Sequence, residues 1–353
     1  MGFQVHILKA TGFDPAGFAD ITASLGLAHK LARATVIGIK ANLAAGNHCE
    51  ADSGVLVGQA LLETLIQALR RMNPTAEIRI MEADSTAGGY AYLKFEHQGL
   101  PGLAARHPGV TLCDLSRGRL RSLSPNGQYF STVELAESLF ECDFMISLAK
   151  IKTHNMTTVT GATKNLFGCL PVSDKSVYHT SIDKVVADMA ALIPVDLCVL
   201  DGNPGMEGNG PVNGEAVPLN RMLFGNNPVA TDSVMAAMLG VDPRRVGHLR
   251  LAEQAGIGST DLAAIRILGA GLDEAAVRIR QNSPLQRSII RGGIGIQRLG
   301  EALARFGHQV HYQKSPAGVA KVILKSVLLL FVTPQRLTAG KKAVACAINS
   351  IRR

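Results

Sequence analysis

Residues 181–202, "SIDKVVADMAALIPVDLCVLDG", place a helical pattern directly before a short apolar strand. Apolar residues recur at helical spacing until Pro194, and the segment that follows, "VDLCVLDG", has the length and composition of a buried strand. A helix that leads directly into a strand is the repeating unit of sheets whose strands run parallel. This stretch therefore predicts an α/β fold.

Short apolar runs and longer helical patterns alternate along the rest of the chain as well. The further predicted strands are "VHILKA" (5–10), "ATVIGIKAN" (34–42), "EIRIMEADS" (77–85), "VTLCDL" (110–115), "DFMISLAK" (143–150) and "IRILGA" (265–270). The further predicted helices are "GVLVGQALLETLIQALRRMNP" (54–74), "VELAESLFEC" (133–142) and "NNPVATDSVMAAMLG" (226–240). This alternation predicts a mostly parallel sheet with helices on both faces.

Polar side chains follow four of the predicted strands. Lys40 and Asn42 end one strand, Glu82 and Asp84 end the next, Asp201 ends a third, and a lysine-rich segment ends the fourth. Ligands of open α/β sheets bind outside the carboxyl ends of the strands. A polar loop after one strand is uninformative, but four strand ends with charges of both signs predict a site at this edge.

The segment "SLAKIKTHNMTTVTGATKNLFGCLP", residues 147–171, contains cations and amides but not one acidic residue. Such a cluster creates a positive potential that attracts an anion, although its lysines could also lie on the solvent-exposed face of a strand end. Because the segment has no Arg and a single aromatic residue, a small carboxylate or phosphate suits it better than nucleic acid. With neighbouring segments included, the predicted substrate-binding residues are Lys40, Asn42, Lys150, Lys152, Asn155, Lys164, Asn165 and His179.

The glycine-rich stretch "DGNPGMEGNGPVNG", residues 201–214, is predicted to be a loop that carries Glu207. Glycines let a ligand approach the main chain, and an acid on a shaped loop is a candidate general acid or base. The alternative is a loop that is merely flexible. The predicted catalytic residues are Glu207, Asp201 and His154. His179 precedes a predicted helix, where a solvated histidine and a ligand contact remain equally open.

The net charge of +8 arises from the end of the chain. Residues 281–353 hold twelve Lys or Arg and one Glu, which leaves residues 1–280 with a net charge of −3. We therefore predict an α/β body over 1–280 and a basic helical extension over 281–353. Its apolar block, 327–332, is too short to span a bilayer, which takes about 20 residues. The extension could pack on the body or on a second subunit, as in a homo-oligomer, or lie in the membrane interface.

The six cysteines predict neither a metal site nor a disulfide framework. No two of them are closer than 27 residues, so no pair has the spacing of a metal or redox motif. The first residues show no basic lead followed by a long apolar region, so no secretory signal is predicted. A cytoplasmic protein is expected, with peripheral contact at the inner face of the membrane left open.

The central motifs resemble the uncharacterised bacterial and archaeal family known as domain of unknown function family 362. The family pattern is similar to Lys-x-Lys-Thr-His, then Thr-Gly-x-x-Lys-Asn-Leu-Phe-Gly, then Asp-Gly-x-x-x-Met-Glu-Gly-x-Gly-Pro, then Pro-Val-Ala-x-Asp. The resemblance covers roughly residues 35–270. The matching positions here are Lys150, Lys152, Thr153, His154, Thr160, Gly161, Lys164, Asn165, Gly168, Asp201, Met206, Glu207, Gly208, Gly210, Pro211 and Asp232.

Two departures from the family pattern limit what the resemblance implies. Where the family commonly has Lys-Pro-Asn, this chain has Lys40-Ala41-Asn42, which keeps both polar groups. Many relatives carry a ferredoxin-type iron–sulfur segment, which needs clustered cysteines that this chain lacks. Cluster binding is therefore not carried over.

Together these features predict an enzyme that acts on a small anionic metabolite by acid–base chemistry. Lysines and amides would hold a carboxylate or phosphate opposite Glu207 and Asp201, and His154 would handle a second proton. A lyase, an isomerase and a transferase are equally compatible, and no cofactor is identified. The alternatives are a reductase component that works with an iron–sulfur partner protein, and a non-catalytic binder of a phosphorylated metabolite.

Overall fold

The structure is a computed structural model that describes residues 2–43, 53–86, 89–282 and 292–293. Residues 1–281 form one compact unit by themselves, and every element below lies within it. Nearly all of the predicted basic extension, including its apolar block, lies outside the described residues. Its helix and its contacts therefore stay predictions.

Twelve strands are described, and ten of them form one sheet. Along the sheet the order is β12-β1-β11-β9-β7-β2-β3-β4, with β8 added to β7 and β10 added to β9. The two remaining strands, β5 and β6, pair with each other. The bounds are β1 Phe3–Leu8, β2 Val36–Ala41, β3 Glu77–Glu82, β4 Val110–Asp114, β5 Leu120–Leu123, β6 Val133–Ala136, β7 Phe144–His154, β8 Thr158–Thr160, β9 Leu197–Glu207, β10 Glu215–Val217, β11 Met222–Gly225 and β12 Ile265–Gly269.

Most neighbouring strands of the large sheet run parallel. The pairs of β2 with β3, β2 with β7, β3 with β4, β7 with β9 and β1 with β12 are parallel, whereas β11 is antiparallel to both of its neighbours. The ends of β2, β3, β7 and β9 therefore meet at one edge, where the sequence predicts a site.

Ten α-helices are described, and they cover both faces of the sheet. Their bounds are α1 Phe18–Ser24, α2 Ala28–Arg33, α3 Gln59–Met72, α4 Ala91–His97, α5 Leu100–Arg106, α6 Ala162–Asn165, α7 Ile182–Leu192, α8 Pro228–Met238, α9 Gly247–Gln254 and α10 Leu272–Ala275. Two 3-10 helices near the predicted site span Leu166–Cys169 and Lys175–Ser181.

Two apolar cores flank the sheet. Adjacent residues of a strand point to opposite faces, so Leu148 packs in the core with α1–α5 while Ala149 packs in the core with α6–α9. Strands that are buried on both faces read as continuous apolar runs, which is why they are visible in the sequence. The predicted α/β fold, a mostly parallel sheet with helices on both faces, is confirmed.

Two local predictions are wrong. Residues 133–142, predicted as a helix, form β6 and a short 3-10 helix over Glu137–Leu139, because Val133 and Leu135 are buried on either side of exposed Glu134 in the alternation of a strand. The predicted loop 201–214 is a strand as far as Glu207, because β7 pairs with β9 on one side and β10 pairs with its last residues. The register of β7 with β9 shifts at this point. Lys150 pairs with Asp201 and Lys152 pairs with Met206, so β9 has extra residues between these two pairs.

Within the parts of the chain that the structure describes, no helix is long and apolar enough to cross a bilayer.

Candidate functional site

The first lysine of the acid-free segment meets a carboxylate from a neighbouring strand. Lys150 of β7 and Asp201 of β9 are Cα partners, so their side chains lie on the same face. Lys150 Nζ lies 2.7 Å from Asp201 Oδ2, and the two side chains are 1% and 5% exposed. Asp201 Oδ1 accepts the backbone N–H of Asn203 at 2.8 Å. The absence of acids within the segment therefore does not leave Lys150 without a counter-charge.

Lys40 is paired in the same way. Its Nζ lies 3.1 Å from Oε2 of Glu82, at the end of the adjacent strand β3, and both side chains are 1% exposed. The same Nζ donates to the carbonyl of Ala41 at 2.8 Å and lies 3.4 Å from Oδ1 of Asn165. A Cβ at Gly168 would be 2.9 Å from this ammonium. The Lys40–Glu82 ion pair is therefore packed against other protein groups and is shielded from solvent.

Two further buried lysines surround Glu82. Lys94 of α4 and Lys175 of the second 3-10 helix both donate to backbone carbonyls that follow β3. Burial opposes ionisation of Glu82, but the charges of Lys40, Lys94 and Lys175 outweigh it and lower the pKa of that carboxyl. Burial also lowers the pKa of Lys175, to about 8. One carboxylate therefore stands among three cations at this edge of the sheet.

Three predicted binding residues hold backbone in place. The side-chain amide of Asn165 donates to the carbonyl of Lys40 in β2 at 2.8 Å and to the carbonyl of Leu148 in β7 at 3.3 Å. Lys152 Nζ donates to the carbonyl of Val55 at 2.7 Å. The backbone N–H of Asn155 donates to the carbonyl of Gly210 at 2.9 Å. These contacts tie the strand ends together and to the segment before α3.

Asn42, just after β2, has a buried polar atom without a partner. Its backbone N–H donates to the carbonyl of Leu148 at 2.9 Å, which continues the pairing of β2 with β7. Its Oδ1 is buried and makes no hydrogen bond with the described residues. Because buried polar atoms are normally paired, this oxygen is available to a ligand or water at the predicted edge.

Lys164 differs from the other lysines at this edge. It is half-buried on α6, and its Nζ lies 4.2 Å from the ring centroid of Phe167. It forms no ion pair or hydrogen bond with the residues that the structure describes. Burial lowers the pKa of Lys164 to about 7; the charges of Lys175 and Lys40 act in the same direction, and Asp183 opposes them.

The turn before Lys164 is held by a buried carboxylate from α8. The two oxygens of Asp232 accept the backbone N–H groups of Ala162 at 2.7 Å and Thr163 at 2.8 Å. A Cβ at Gly161 would lie 2.6 Å from Cγ of Asp232, so only glycine fits there. The backbone that carries Lys164 is therefore positioned by contacts from a distant helix.

His154, the last residue of β7, is held as a neutral hydrogen-bond donor. Its Nδ1 accepts the backbone N–H groups of Met156 at 3.0 Å and Thr157 at 3.3 Å, which places the ring proton on Nε2. Burial, followed by the positive charges of Lys164 and Lys152, lowers the pKa of His154 well below its ordinary value. The imidazole stays uncharged near neutral pH, with Nε2–H free of any hydrogen bond to the described residues.

His179 joins the same group of side chains. Its ring is stacked on Phe167 with the ring centroids 6.4 Å apart and an interplanar angle of 27°. It also contributes to the lowered pKa of His154. The structure thus brings Lys164 and His179 together on Phe167, and both act electrostatically on His154.

Glu207 is directed elsewhere. Its Oε2 accepts the backbone N–H of Arg280 at 2.9 Å, and its Oε1 lies 3.2 Å from Arg280 Nη2. Lys152 and Met206 are Cα partners on one face, so the next residue, Glu207, points to the opposite face. Its contacts join it to Arg280 and not to the lysines.

Sequence reasoning missed part of this arrangement. It named Asp232 only as a position of the family pattern, and it gave no role to Lys94, Phe167 or Lys175. Lys94 lies within an ordinary amphipathic helix, so no local signal marks it as buried. For Asp232 a signal did exist, since a carboxylate inside the apolar helix "PVATDSVMAAM" needs a buried partner.

A known protein family matches the part of the chain that carries this site. The family described as "Domain of unknown function (DUF362)" matches residues 37–237, which include the ends of β2, β3, β7 and β9. The chain belongs to this family. The resemblance seen in the motifs is therefore confirmed, and the family match covers Lys164, His154 and Asp232 alike.

One relative and one solved structure are similar to parts of the chain. The "Thylakoid-associated protein sll1697" of Synechocystis sp. is 30% identical over 185 residues, which are 50% of this chain and 56% of that protein. The chain thus spans about half the length of this relative. The structure of the lactate racemase apoprotein from Thermoanaerobacterium thermosaccharolyticum is similar at 12% identity and a TM-score of 0.37, over 71% of this chain and 56% of the other. Similarity at this level supports no inference about the site.

Proposed function

We propose that this DUF362 chain is an enzyme that moves a proton on a small carboxylate- or phosphate-bearing metabolite, with Lys164 as its general base and His154 as a hydrogen-bond donor to the developing negative charge. The observation that carries the proposal is the state of Lys164. It is a half-buried amine over Phe167 that has no ion pair or hydrogen bond with the described residues, at an edge where the other lysines are engaged.

The environment of Lys164 suits a general base. An ordinary lysine is protonated at neutral pH, but a pKa of about 7 leaves half of the Lys164 amines uncharged there. The groups that face it are Lys175 and Lys40, which disfavour the ammonium, Asp183, which favours it, and the neutral ring of His154. A catalytic base works best when its pKa lies near the working pH.

His154 supplies the complementary donor. Its backbone partners hold the ring with the proton on Nε2, and its low pKa prevents a second proton from binding near neutral pH. A neutral imidazole can donate a hydrogen bond to an oxygen on which negative charge develops. This would stabilise the enolate-like species that forms when a carbon acid loses its proton.

The buried cations would favour an anionic substrate. Lys40, Lys94 and Lys175 surround Glu82, Asp84 and Asp114 also act on Lys94, and Lys164 adds a further amine nearby. An excess of positive charge in a poorly solvated place attracts carboxylate and phosphate groups more strongly than it would in water. Proton abstraction beside such a group is a step shared by many lyases and isomerases.

The test follows exchange of substrate protons with solvent. The protein is incubated in D2O with mixtures of small carboxylates and phosphate esters at several pH values between about 6 and 9, and NMR detects loss of C–H signals. We expect at least one compound to take up deuterium. Exchange should rise with pH through about 7, because the neutral form of Lys164 is the base.

Two variants make the test specific. Lys164→Met should slow exchange by at least about a hundredfold, which is typical for loss of a general base. Lys184→Met removes an exposed lysine of α7 and should leave exchange unchanged. Equal exchange in Lys164→Met and wild type would contradict the proposed role of Lys164. Binding of anions with no exchange at any pH would instead support the non-catalytic binder.

A further inference from the structure

We propose that the anion bound beside Lys164 carries a flat apolar or aromatic group, and that this group packs on Tyr178 and Tyr129. This inference rests on the proposed function and names the class of substrate that the same site would take. It depends on an aromatic cluster that adjoins Lys164 and has no role in the proposed acid–base chemistry. The cluster consists of Phe167, Tyr178, Phe130 and Tyr129.

The cluster continues directly from the ring under Lys164. Phe167 contacts Tyr178 edge to face, with ring centroids 6.3 Å apart. Tyr178 in turn contacts Phe130 at 5.6 Å and Tyr129 at 5.8 Å, both in tilted or edge-to-face geometry. One continuous aromatic surface therefore leads from the ammonium of Lys164 to Tyr129.

The outer end of this surface is exposed. Tyr129 is 41% exposed and Tyr178 is half-buried, whereas Phe130 and Phe167 beneath them are buried. Only 5% of the chain is aromatic, so an aromatic surface next to the candidate base is not a consequence of composition. Exposed aromatic surface beside convergent polar groups is typical of a small-molecule site.

A buried carboxylate fixes the loop that presents Tyr129. Asp188 of α7 accepts the backbone N–H groups of Gln128 at 2.9 Å, Tyr129 at 2.8 Å and Phe130 at 2.9 Å. A Cβ at Gly127 would lie 2.6 Å from Cγ of Asp188, so the loop closes tightly around it. Tyr129 is thus held in position by three hydrogen bonds while its ring remains open to solvent.

Charge and shape together define the ligand. The lysine edge attracts a carboxylate or phosphate, and the adjoining rings favour a planar group attached to it. Methyl phosphate and phenyl phosphate carry the same charged group and differ in the attached group. Stacking on one or two rings should make phenyl phosphate bind several-fold to about tenfold more tightly.

The experiment titrates both esters into the full-length protein and measures affinity by calorimetry. Wild type should prefer phenyl phosphate, and Tyr129→Ala and Tyr178→Ala should each remove most of that preference while methyl phosphate still binds. Tyr129→Ala is the variant expected to leave the fold intact, because the ring of Tyr129 is more exposed than that of Tyr178. Tyr92→Ala is the control, because Tyr92 is 48% exposed on α4, outside the cluster, and the preference should persist.

Each result distinguishes the two proposals. Equal affinity of the two esters in wild type would overturn the aromatic subsite and leave the anion site intact. A preference for phenyl phosphate that survives both tyrosine substitutions would also overturn it. Failure of both esters to bind would contradict the proposed anion site and the subsite with it.

Discussion

Lys40 and Glu82 join the ends of two neighbouring strands through an ion pair of 3.1 Å that is almost completely buried. The carboxylate also accepts the backbone N–H groups of Ala83 at 2.8 Å and Leu43 at 3.2 Å. A buried pair of this kind is costly to break, because the remaining ion keeps its burial and loses its partner. The stability of the whole edge therefore depends on Glu82.

Glu82→Gln should lower the free energy of unfolding by about 3–5 kcal/mol, because Lys40, Lys94 and Lys175 lose their shared counter-charge. Urea denaturation measures the change. The matched control is Glu274→Gln, which removes an exposed partner of Lys9 and should leave the urea midpoint unchanged. Equal midpoints for Glu82→Gln and wild type would show that the buried pair does not stabilise the fold.

Acid should remove the stabilisation that the ionised Glu82 carboxylate provides. The pKa of Glu82 is lowered in the folded state, so the folded protein binds this proton less readily than the unfolded chain does. Its stabilisation is present above the ordinary carboxyl pKa and is lost as pH falls through the lowered value. Wild type should therefore lose stability more steeply than Glu82→Gln on acidification. Parallel pH profiles of the two proteins would contradict this.

Gly161→Ala should destabilise the turn that carries Lys164. The added methyl would overlap the carboxylate of Asp232, and such overpacking typically costs about 1–3 kcal/mol. Gly12→Ala is the control, since a Cβ there meets no atom within 4 Å. Thermal unfolding measures the stability of the two variants. An equally small loss of stability at both positions would show that the backbone of Gly161 does not lie against the Asp232 carboxylate.

Asp232→Ala should displace Lys164 as well as reduce stability. It leaves the N–H groups of Ala162 and Thr163 unpaired, at about 1–3 kcal/mol for each buried group. If Asp232 only stabilises the fold, Asp232→Ala should change only the free energy of unfolding. If Asp232 also positions Lys164, the substitution should in addition change the pH dependence with which acetic anhydride acetylates Lys164. Asp242→Ala, which removes an exposed turn cap, should change neither appreciably.

The sheet could be predicted from the sequence because its strands are buried on both faces. Ile37 and Ile39 pack in the core, and the run that contains them ends in Lys40, so both the strand and its polar end are visible. The convergence of strand ends from β2, β3, β7 and β9 then follows from parallel topology. Strand β6 is the exception: it was predicted as a helix because its alternation is only four residues long and is followed by a helical turn.

The chemical state of each site residue could not be predicted in the same way. Asp201 neutralises Lys150 through strand register, and Glu207 turns to Arg280 because a one-residue step in a strand reverses its face. Lys164 is distinguished from Lys150 only by packing, since both lie in the same acid-free segment. Its contact with Phe167 and its lack of an ion pair with the described residues depend on tertiary structure.

The reactivity of the Lys164 amine with acetic anhydride as a function of pH tests its proposed role as a base most directly. Peptide mass spectrometry follows acetylation of Lys164 between about pH 5 and 11, with exposed Lys184 as a reference for a surface amine. We predict a reactivity midpoint near pH 7 for Lys164, where its amine becomes neutral. A midpoint near 10.5, the ordinary lysine value, would contradict it.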